Sequence, residues 1–175
     1  MTMSKVRSFA PVAGRGAAAL ILGSMPGRAS LKAGEYYAHP RNLFWPIIAG
    51  TFGGVFPSSY PARLRLLKAN RIALWDVLLS CVRPGSADSD IKKSSIRPNE
   101  LAAFFRRHPG IKRVFFNGAK AQDCYRKYVL PSLPAVFAGL TYRRLPSTSP
   151  AHAALSRARK AAVWKAALTR PVEPA

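Results

Sequence analysis

A short apolar run that stops at a cluster of turn residues most limits how this chain folds. Residues 17–22 carry no polar side chain, which is typical of a strand buried on both faces of a parallel sheet. Gly23, Pro26 and Gly27 follow at once, and glycine lets the backbone bend sharply and approach a ligand closely. Because open α/β sheets bind ligands beyond the carboxyl ends of their strands, the pattern predicts a site directly after this strand.

A phosphate-binding loop and a purely structural turn are the two other interpretations of these residues. A phosphate-binding P-loop needs a wider glycine spacing followed by Lys and then Ser or Thr, whereas Gly27 is followed by Arg28, Ala29 and Ser30. The P-loop interpretation therefore fails. A purely structural turn fits the spacing as well as a ligand loop does, since short turns of Gly and Pro are common.

The charge of the chain indicates a polyanionic partner. It contains 28 Lys and Arg against 7 Asp and Glu, a net charge of +21 spread along 175 residues. Such a charge favours binding to phosphate backbones through counterion release. An Arg-rich composition with no specific partner would produce the same excess of positive charge. We predict nucleic acid as the partner.

Cysteine and histidine are too few and too scattered to predict a metal centre. The cysteines Cys81 and Cys124 have no CxxC spacing, and the three histidines are His39, His108 and His152. We therefore expect no iron–sulfur cluster, no other metal and no cofactor. Reduced thiols predict a cytoplasmic protein, and the absence of a long apolar run predicts that it does not associate with membranes. We also expect a monomer.

The chain has the length of one domain. We divide it into a basic flexible arm (1–16), a single domain (17–168) and a C-terminal tail (169–175) expected to fray. Alternating strand and helix patterns predict a three-layer α/β/α sandwich with a central, mostly parallel four-stranded sheet. The predicted strands are 17–22, 71–77, 112–116 and one or two within 135–145. The predicted helices are 42–52, 60–70, 99–108, 119–129 and 151–168, and 81–98 is predicted to be mostly loop.

Polar residues stand at the ends of these predicted elements. Asp76 ends the second strand, where a carboxylate must be paired or functional because burying an unpartnered charge is costly. Asn117 ends the third strand and could face the same crevice. Asn42 lies near the start of a helix. Each residue also has a structural interpretation, a salt bridge or loop cap for Asp76 and a helix cap for the two asparagines.

The segment 145–153, LPSTSPAHA, is a second candidate ligand loop. Ser147, Thr148 and Ser149 precede Pro150, which can occupy the first turn of a helix. We therefore expect hydroxyl and amide groups to converge on a phosphate at a helix N-terminus. An ordinary Ser or Thr cap explains the same residues.

Five segments, taken in order, resemble those of the uracil-DNA glycosylase superfamily: GSMPGRASL, YYAHPRNLFW, WDVLLSCVRPGSADSDI, FFNG and LPSTSPAHA. The resemblance extends over nearly the whole chain, and the pattern is similar above all to the hypoxanthine-DNA (deoxyinosine) glycosylase group, also called family six. AHPRNLFW is also similar to mismatch-specific uracil glycosylases. The resemblance implies an enzyme of base excision repair that flips a deaminated base, uracil and/or hypoxanthine, out of DNA. It would hydrolyse the N-glycosidic bond and leave an abasic site.

The resemblance also implies roles for residues in the first two segments. Tyr37 occupies the position of the family's stacking aromatic residue. Asn42 matches the asparagine with which the deoxyinosine group positions the hydrolytic water. Backbone groups of Ser24, Met25 and Gly27 would contact the base or its anion.

Two positions depart from the common pattern of the superfamily. Met25 stands where many uracil glycosylases have Asp or Asn, and a thioether cannot activate water. Asn42 is therefore the first candidate to position water, with Asp76 or a backbone carbonyl as the alternative. Because Asn is a poor base, we expect catalysis by orientation and by stabilisation of the leaving base and an oxocarbenium-like sugar. Leu145 replaces the usual His that contacts the base, and Asp76 and Asn117 are candidates for recognising the base edge.

The last segment would contact the DNA. By the same resemblance, Ser147 and Ser149 bind the phosphates on either side of the flipped nucleotide. Pro150, Ala151 and His152 would enter the duplex where the base has left.

The sequence leaves one alternative of another class. A non-catalytic DNA-binding protein could retain the glycosylase fold, with Met25 and Leu145 as traces of lost chemistry. It would bind DNA with a steep salt dependence and release no base. If the chain is an enzyme, it is expected to be monofunctional, since no Lys stands at a motif position suited to Schiff-base chemistry.

Overall fold

Seven strands and six helices lie within residues 5–85 and 88–170, the parts of the chain that the computed structural model describes. The strands are β1 (Lys5–Arg7), β2 (Ala19–Gly23), β3 (Ile72–Asp76), β4 (Leu78–Val82), β5 (Arg97–Pro98), β6 (Arg113–Asn117) and β7 (Thr141–Leu145). The helices are α1 (Arg28–Ala33), α2 (Phe44–Thr51), α3 (Tyr60–Ala69), α4 (Leu101–Arg107), α5 (Ala119–Tyr128) and α6 (Arg157–Leu168). None of these helices is both long and apolar enough to cross a bilayer.

The central sheet consists of four parallel strands in the order β3-β2-β6-β7. Every residue of β2 and β3 is buried, as expected for parallel strands covered on both faces. Gly23 pairs with Asp76, and Asn117 pairs with Leu145. The carboxyl ends of the strands therefore meet at one edge. The predicted α/β/α fold with a four-stranded parallel sheet is confirmed.

Two large aromatic side chains join helices α2 and α6. Phe44 and Trp164 are both 0% exposed, and their rings meet edge to face with centroids 6.0 Å apart. Burying a large apolar side chain contributes about 1.5–3 kcal/mol. Trp164 Nε1 also donates a hydrogen bond to the Pro146 carbonyl (2.9 Å). This contact fixes the start of the 145–153 segment against α6.

A second sheet, of antiparallel strands in the order β1-β4-β5, differs from the sequence prediction. Its first strand lies within residues 1–16, where a flexible arm is predicted, and Val12 forms a further bridge to Leu74. The stretch 81–98, predicted to be mostly loop, supplies the end of β4 and all of β5. These pairings join segments far apart along the chain, which local propensity does not reveal. Residues 1–4 lie outside the described part of the chain.

The final helix begins later than the predicted range 151–168. Its first residue is Arg157, and the Oγ of Ser156 caps it by accepting a hydrogen bond from the Arg159 amide (3.3 Å). Pro150 therefore lies in a turn before the helix, and the predicted convergence of hydroxyls on a helix N-terminus is wrong. A serine in the extended conformation is a strong N-cap, which explains the later boundary.

Three smaller differences concern other boundaries. The range 135–145 contains one strand, β7, preceded by a short 3₁₀ turn. Helix α1 occupies residues that the sequence describes only as a turn. In the predicted tail 169–175, the Arg170 carbonyl accepts a hydrogen bond from Arg113 Nη1 (2.8 Å), and residues 171–175 lie outside the described part.

His108 follows the last residue of α4 and packs against the Phe104 ring, with ring centroids 4.5 Å apart. Its Nδ1 atom is buried and has no hydrogen-bond partner among the described residues. Burial lowers the pKa of His108 below its ordinary 6.5, and the neighbouring Arg107 charge lowers it further. The folded state therefore holds this proton less tightly than the unfolded state.

His108 should make stability depend on pH. Between its lowered folded pKa and 6.5, the unfolded state binds more protons, so the free energy of unfolding rises with pH through that window and falls as pH drops. His108→Gln should flatten this part of the curve. Urea unfolding of both proteins from about pH 5 to about pH 8 measures the difference. Parallel curves for the two proteins would contradict the assignment to His108.

Candidate active site

The ends of β2 and β3 approach so closely that only glycine fits between two polar side chains. A Cβ atom on Gly23 would lie 2.5 Å from Asp76 Oδ1 and 3.0 Å from Tyr37 Oη. The Val77 amide donates to the Gly23 carbonyl (2.8 Å), which continues the strand pairing beyond the sheet. Asp76 and the Tyr37 hydroxyl therefore meet at the strand end, where the sequence predicts a site.

Asn99 supports this strand end, and sequence reasoning missed it. Its side chain is 6% exposed, and its Nδ2 donates to the Asp76 carbonyl (2.8 Å). Its backbone amide donates to the Val77 carbonyl (2.9 Å). Asn99 thus bonds the carbonyls of two successive residues, one through its side chain and one through its backbone, and fixes their positions. The only signal in the sequence is a polar residue just before an apolar helix, which reads equally well as an ordinary cap.

Tyr37 combines an unusual backbone with an aromatic stack. Its φ of 55° lies in the left-handed region, which costs a non-glycine residue about 1–3 kcal/mol and persists only where surrounding contacts hold it. Its ring stacks on Phe44 with centroids 4.1 Å apart and planes 25° apart. One face of the tyrosine is thus covered by Phe44. A flipped base could stack only on the other face.

The preceding residue, Tyr36, anchors this strained turn. Its carbonyl accepts from Trp45 Nε1 (2.7 Å), its amide donates to Tyr60 Oη (3.1 Å), and its own Oη donates to the Ala10 carbonyl (3.1 Å). Burial raises the pKa of Tyr36 far above its ordinary value, and the Asp76 charge adds to this effect. The hydroxyl therefore stays protonated and remains a donor. These bonds explain how Tyr37 is held in the left-handed region.

Asn42 lies just before α2 and is half-buried. Its Oδ1 accepts a hydrogen bond from the Phe44 amide (2.9 Å), and its backbone amide donates to the His39 carbonyl (2.8 Å). The N-cap of α2 is Leu43, so the predicted helix cap at Asn42 is wrong by one residue, and Asn42 bonds the first helical amide from the position before the cap. A carboxamide oxygen has a second lone pair, and its nitrogen has two hydrogens, so Asn42 can still hold a water molecule. The hydrogen bond from Phe44 fixes the direction in which the Asn42 side chain would hold that water.

Asn117 faces the 145–153 segment through two matched hydrogen bonds. Its Nδ2 donates to Thr148 Oγ1 and its Oδ1 accepts from the Thr148 amide, each at 2.9 Å. Thr148 is 0% exposed, and its carbonyl accepts from the Leu43 amide (3.0 Å). Thr148 thus joins the end of β6 to the start of α2. Recognition of a base edge by Asn117 stays a prediction. Only the second Nδ2 hydrogen and the second Oδ1 lone pair are left for that contact.

The hydroxyls of the 145–153 segment mainly fold the segment itself. Ser147 Oγ accepts from the Ser149 amide (3.2 Å), and Ser149 Oγ accepts from the Ala151 amide (3.3 Å). Pro150 and Ala151 are exposed, and His152 is half-buried. The tip of the segment is therefore accessible to solvent. Phosphate binding by the two serines and insertion of the tip remain predictions.

Lys160 holds the far side of this segment. It lies in α6 and is 3% exposed, and its Nζ donates a hydrogen bond to the His152 carbonyl. Burial lowers the pKa of Lys160. Because the charge is buried, it fixes the segment rather than meeting solvent.

The turn after β2 presents backbone groups. Ser24 and Met25 are buried, at 9% and 6% exposed, and the Ser24 carbonyl accepts from the Leu78 amide (3.1 Å). Gly27 lies before α1, and a Cβ atom there would meet nothing within 4 Å. Crowding therefore does not require glycine at position 27, unlike position 23, and the space beside its backbone is open.

The described residues thus link all five sequence segments through one chain of contacts. Asp76 and Tyr37 meet at Gly23. Tyr37 stacks on Phe44, and the Phe44 amide donates a hydrogen bond to Asn42. Asn117 is joined to the same helix start through the 145–153 segment. Within residues 5–85 and 88–170, no three His, Cys, Asp or Glu side chains are grouped closely enough to hold a metal ion.

Comparison with known proteins places this arrangement in a family. The model of the Uracil DNA glycosylase superfamily matches residues 12–169, which include every residue of the candidate site. This chain belongs to that superfamily. The family predicted from the sequence is therefore confirmed.

Three relatives of this superfamily member are informative. A hypoxanthine DNA glycosylase of Methanosarcina barkeri is 38% identical over 120 residues, covering 68% of this chain and 75% of the relative. A hypoxanthine DNA glycosylase of Methanosarcina acetivorans is 34% identical over 161 residues, covering 91% of this chain and 96% of the relative. The solution NMR structure of a Methanosarcina acetivorans protein, provisionally described as a uracil DNA glycosylase, matches with a TM-score of 0.78 at 32% identity, covering 94% and 97% of the two chains.

In this superfamily member, Gly118 should not tolerate a side chain. Its φ is +92°, and a Cβ atom would lie 2.9 Å from Ser147 Cβ, so Gly118→Ala should lower the free energy of unfolding by about 1–3 kcal/mol. Urea unfolding measures this change. Gly139→Ala is the matched control, because nothing lies within 4 Å of its Cβ position. Equal midpoints for the two variants would contradict the steric argument.

Proposed function

We propose that this chain is a monofunctional DNA glycosylase that releases deaminated bases from DNA, with hypoxanthine as the leading substrate and uracil as the second. The observation that carries the proposal is the placement of Asn42 beside the Tyr37–Phe44 stack at the carboxyl edge of the sheet. The names of the two Methanosarcina glycosylases support hypoxanthine as the first substrate to test.

In the proposed reaction, the flipped base stacks on the uncovered face of Tyr37. Asn42 holds a water molecule with its remaining lone pair and its amide hydrogens, and the hydrogen bond from the Phe44 amide fixes its orientation. The glycosidic bond breaks with its electron pair moving to the base nitrogen, and water adds to the sugar carbon. Backbone groups of Ser24, Met25 and Gly27 would face the departing base. Orientation and electrostatic stabilisation carry the catalysis, since Asn is not a strong base.

Asp76 has two proposed uses in this site. As a buried carboxylate at the strand end, it would favour the positive charge that develops on the sugar. It is also the alternative residue for positioning the water. Both uses follow from its place beside Gly23 and Tyr37.

DNA would reach the site along the 145–153 segment. The net charge of +21 favours association with a phosphate backbone. Ser147 and Ser149 would bind phosphates, and Pro150, Ala151 and His152 would fill the space that the base leaves. Lys160 and Trp164 hold this segment by its carbonyl groups, which suits a part that must keep its shape when pushed into a duplex.

We further propose that the enzyme acts as a monomer in the cytoplasm, without a cofactor. Both Cys81 and Cys124 are buried thiols outside any disulfide, which is compatible with a reducing compartment. Gel filtration coupled to light scattering would test the oligomeric state.

The central test measures base release from end-labelled oligonucleotides that contain one hypoxanthine or one uracil, followed by alkali to reveal abasic sites. Wild type should release at least one of these bases. Asn42→Ala should slow release by about 100-fold or more, because the water loses its fixed position. Asn70→Ala, which removes a side chain that bonds the Leu66 carbonyl at the end of α3, should keep the wild-type rate.

Each other outcome has a clear meaning. Wild-type speed in Asn42→Ala would contradict the role of Asn42 and move water positioning to Asp76. DNA binding without release of either base would contradict the enzyme assignment and favour a non-catalytic DNA-binding protein. Nicking without alkali would contradict the monofunctional reaction.

Substitution of Tyr37 tests the stacking role separately. Tyr37→Phe keeps the ring and should change KM little, whereas Tyr37→Leu should weaken substrate binding by about 5-fold to 150-fold, since a base–aromatic stack contributes about 1–3 kcal/mol. Steady-state kinetics on the preferred substrate measures both effects. Equal KM values for the two variants would contradict stacking on Tyr37.

A further inference from the structure

Arg83, which follows β4, is a buried cation in contact with the turn after β2. The side chain is 2% exposed, and its Nη2 donates a hydrogen bond to the Pro26 carbonyl. Its Nε and Nη1 atoms are also buried and have no hydrogen-bond partner among the described residues. Arg83 lies within the third segment that carries the family resemblance, but neither that resemblance nor the proposed mechanism gives it a role.

A buried guanidinium with two unsatisfied nitrogen atoms is costly, so its position needs a physical reason. Structural support of the turn would need one neutral donor to Pro26. A full positive charge at this point is better explained by a negative charge that forms nearby during function.

The peptide group that Arg83 contacts borders open space. The Pro26 carbonyl and the Gly27 N–H belong to the same peptide unit. A donor on the carbonyl polarises this unit and makes its N–H a stronger donor in turn. A Cβ atom on Gly27 would meet nothing within 4 Å, so the space beside this residue is open.

The other residues of the site leave a need for a positive charge near the departing base. Leu145 replaces the histidine that the family resemblance would place on the base, and Lys160 is bonded to the His152 carbonyl. Asp76 lies at the Gly23 end of the same turn, where its negative charge would oppose the formation of an anion. A base that leaves as an anion therefore needs a compensating positive charge.

We propose that Arg83 stabilises the negative charge of the departing base by polarising the Pro26–Gly27 peptide group. The inference rests on the proposed glycosylase function. When the bond from the sugar carbon to the base nitrogen breaks, the electron pair stays on the base, and the Gly27 N–H donates to that anion. Water supplies the oxygen that joins the sugar carbon and the proton that finally neutralises the base. Arg83 is a positioning residue, since it acts through the backbone.

The test compares each base with a fluorinated form of nearly the same shape that leaves more readily as an anion. The pairs are hypoxanthine with 2-fluorohypoxanthine and uracil with 5-fluorouracil, measured in single-turnover experiments with wild type and Arg83→Gln. Arg83→Gln should slow release of the unsubstituted base by about 10-fold or more. The fluorinated base should be slowed clearly less, because it needs less stabilisation. Arg83→Lys, which keeps the charge, should restore much of the lost rate.

Arg63→Gln is the matched control. Arg63 Nε also donates to a proline carbonyl, that of Pro57 (3.2 Å), in a different loop. Both release rates should stay at the wild-type level in this variant. An equal slowing of both bases in Arg83→Gln would overturn the inference and leave only a structural role, while the glycosylase function would stand. Failure of wild type to release any base would overturn the function and this inference with it.

Gly27→Pro gives a second, independent measurement if Arg83→Gln does not fold, as judged by thermal unfolding. The φ of Gly27 is −69°, which proline adopts readily, and proline lacks the N–H. This variant should again slow the unsubstituted base more than its fluorinated form. Equal slowing would overturn the inference.

Discussion

The close pairing of β2 with β3 is the constraint on which the rest of the site depends. Gly23 stands opposite Asp76 in the register, and the missing side chain of Gly23 is what lets Asp76 and the Tyr37 hydroxyl share one small space. Any larger residue would push the carboxylate or the tyrosine away. A fixed glycine in one strand thus sets the position of groups that come from two other parts of the chain.

Buried polar side chains hold the surrounding loops, and each is stabilised by backbone groups. Thr148 joins Asn117 to the start of α2, Asn99 fixes the backbone after β3, and Lys160 bonds the 145–153 segment. A buried hydrogen bond contributes only about 0.5–1.5 kcal/mol, but losing one partner costs more than that. The main effect of these bonds is therefore to specify one arrangement of the loops, and their contribution to stability is smaller. Such rigidity suits catalysis that depends on orientation.

The sequence predicts the parts of this fold that local patterns control. The apolar strands and the glycine turn after β2 follow from short-range chemistry, and the structure places them where expected. The start of α2 was predicted to within two residues, but its N-cap is Leu43 rather than Asn42. The β1-β4-β5 sheet could not be predicted from the sequence, because its strands are far apart along the chain. Lys160 and Arg83 were missed for a related reason. A cation is normally solvated, and only the folded chain shows that these two are buried.

Arg83 and Asp76 together suggest how a site without a strong base could still act. The carboxylate lies at the Gly23 end of the turn, and the guanidinium contacts the Pro26 end. Breaking a glycosidic bond makes the sugar positive and the base negative, so opposite charges fixed along that direction would favour the transition state over the ground state. The net charge of +21 acts differently, because surface charges are screened by salt and mainly speed association with DNA. On this view, binding depends on the surface charges, and the chemical step depends on two buried ones.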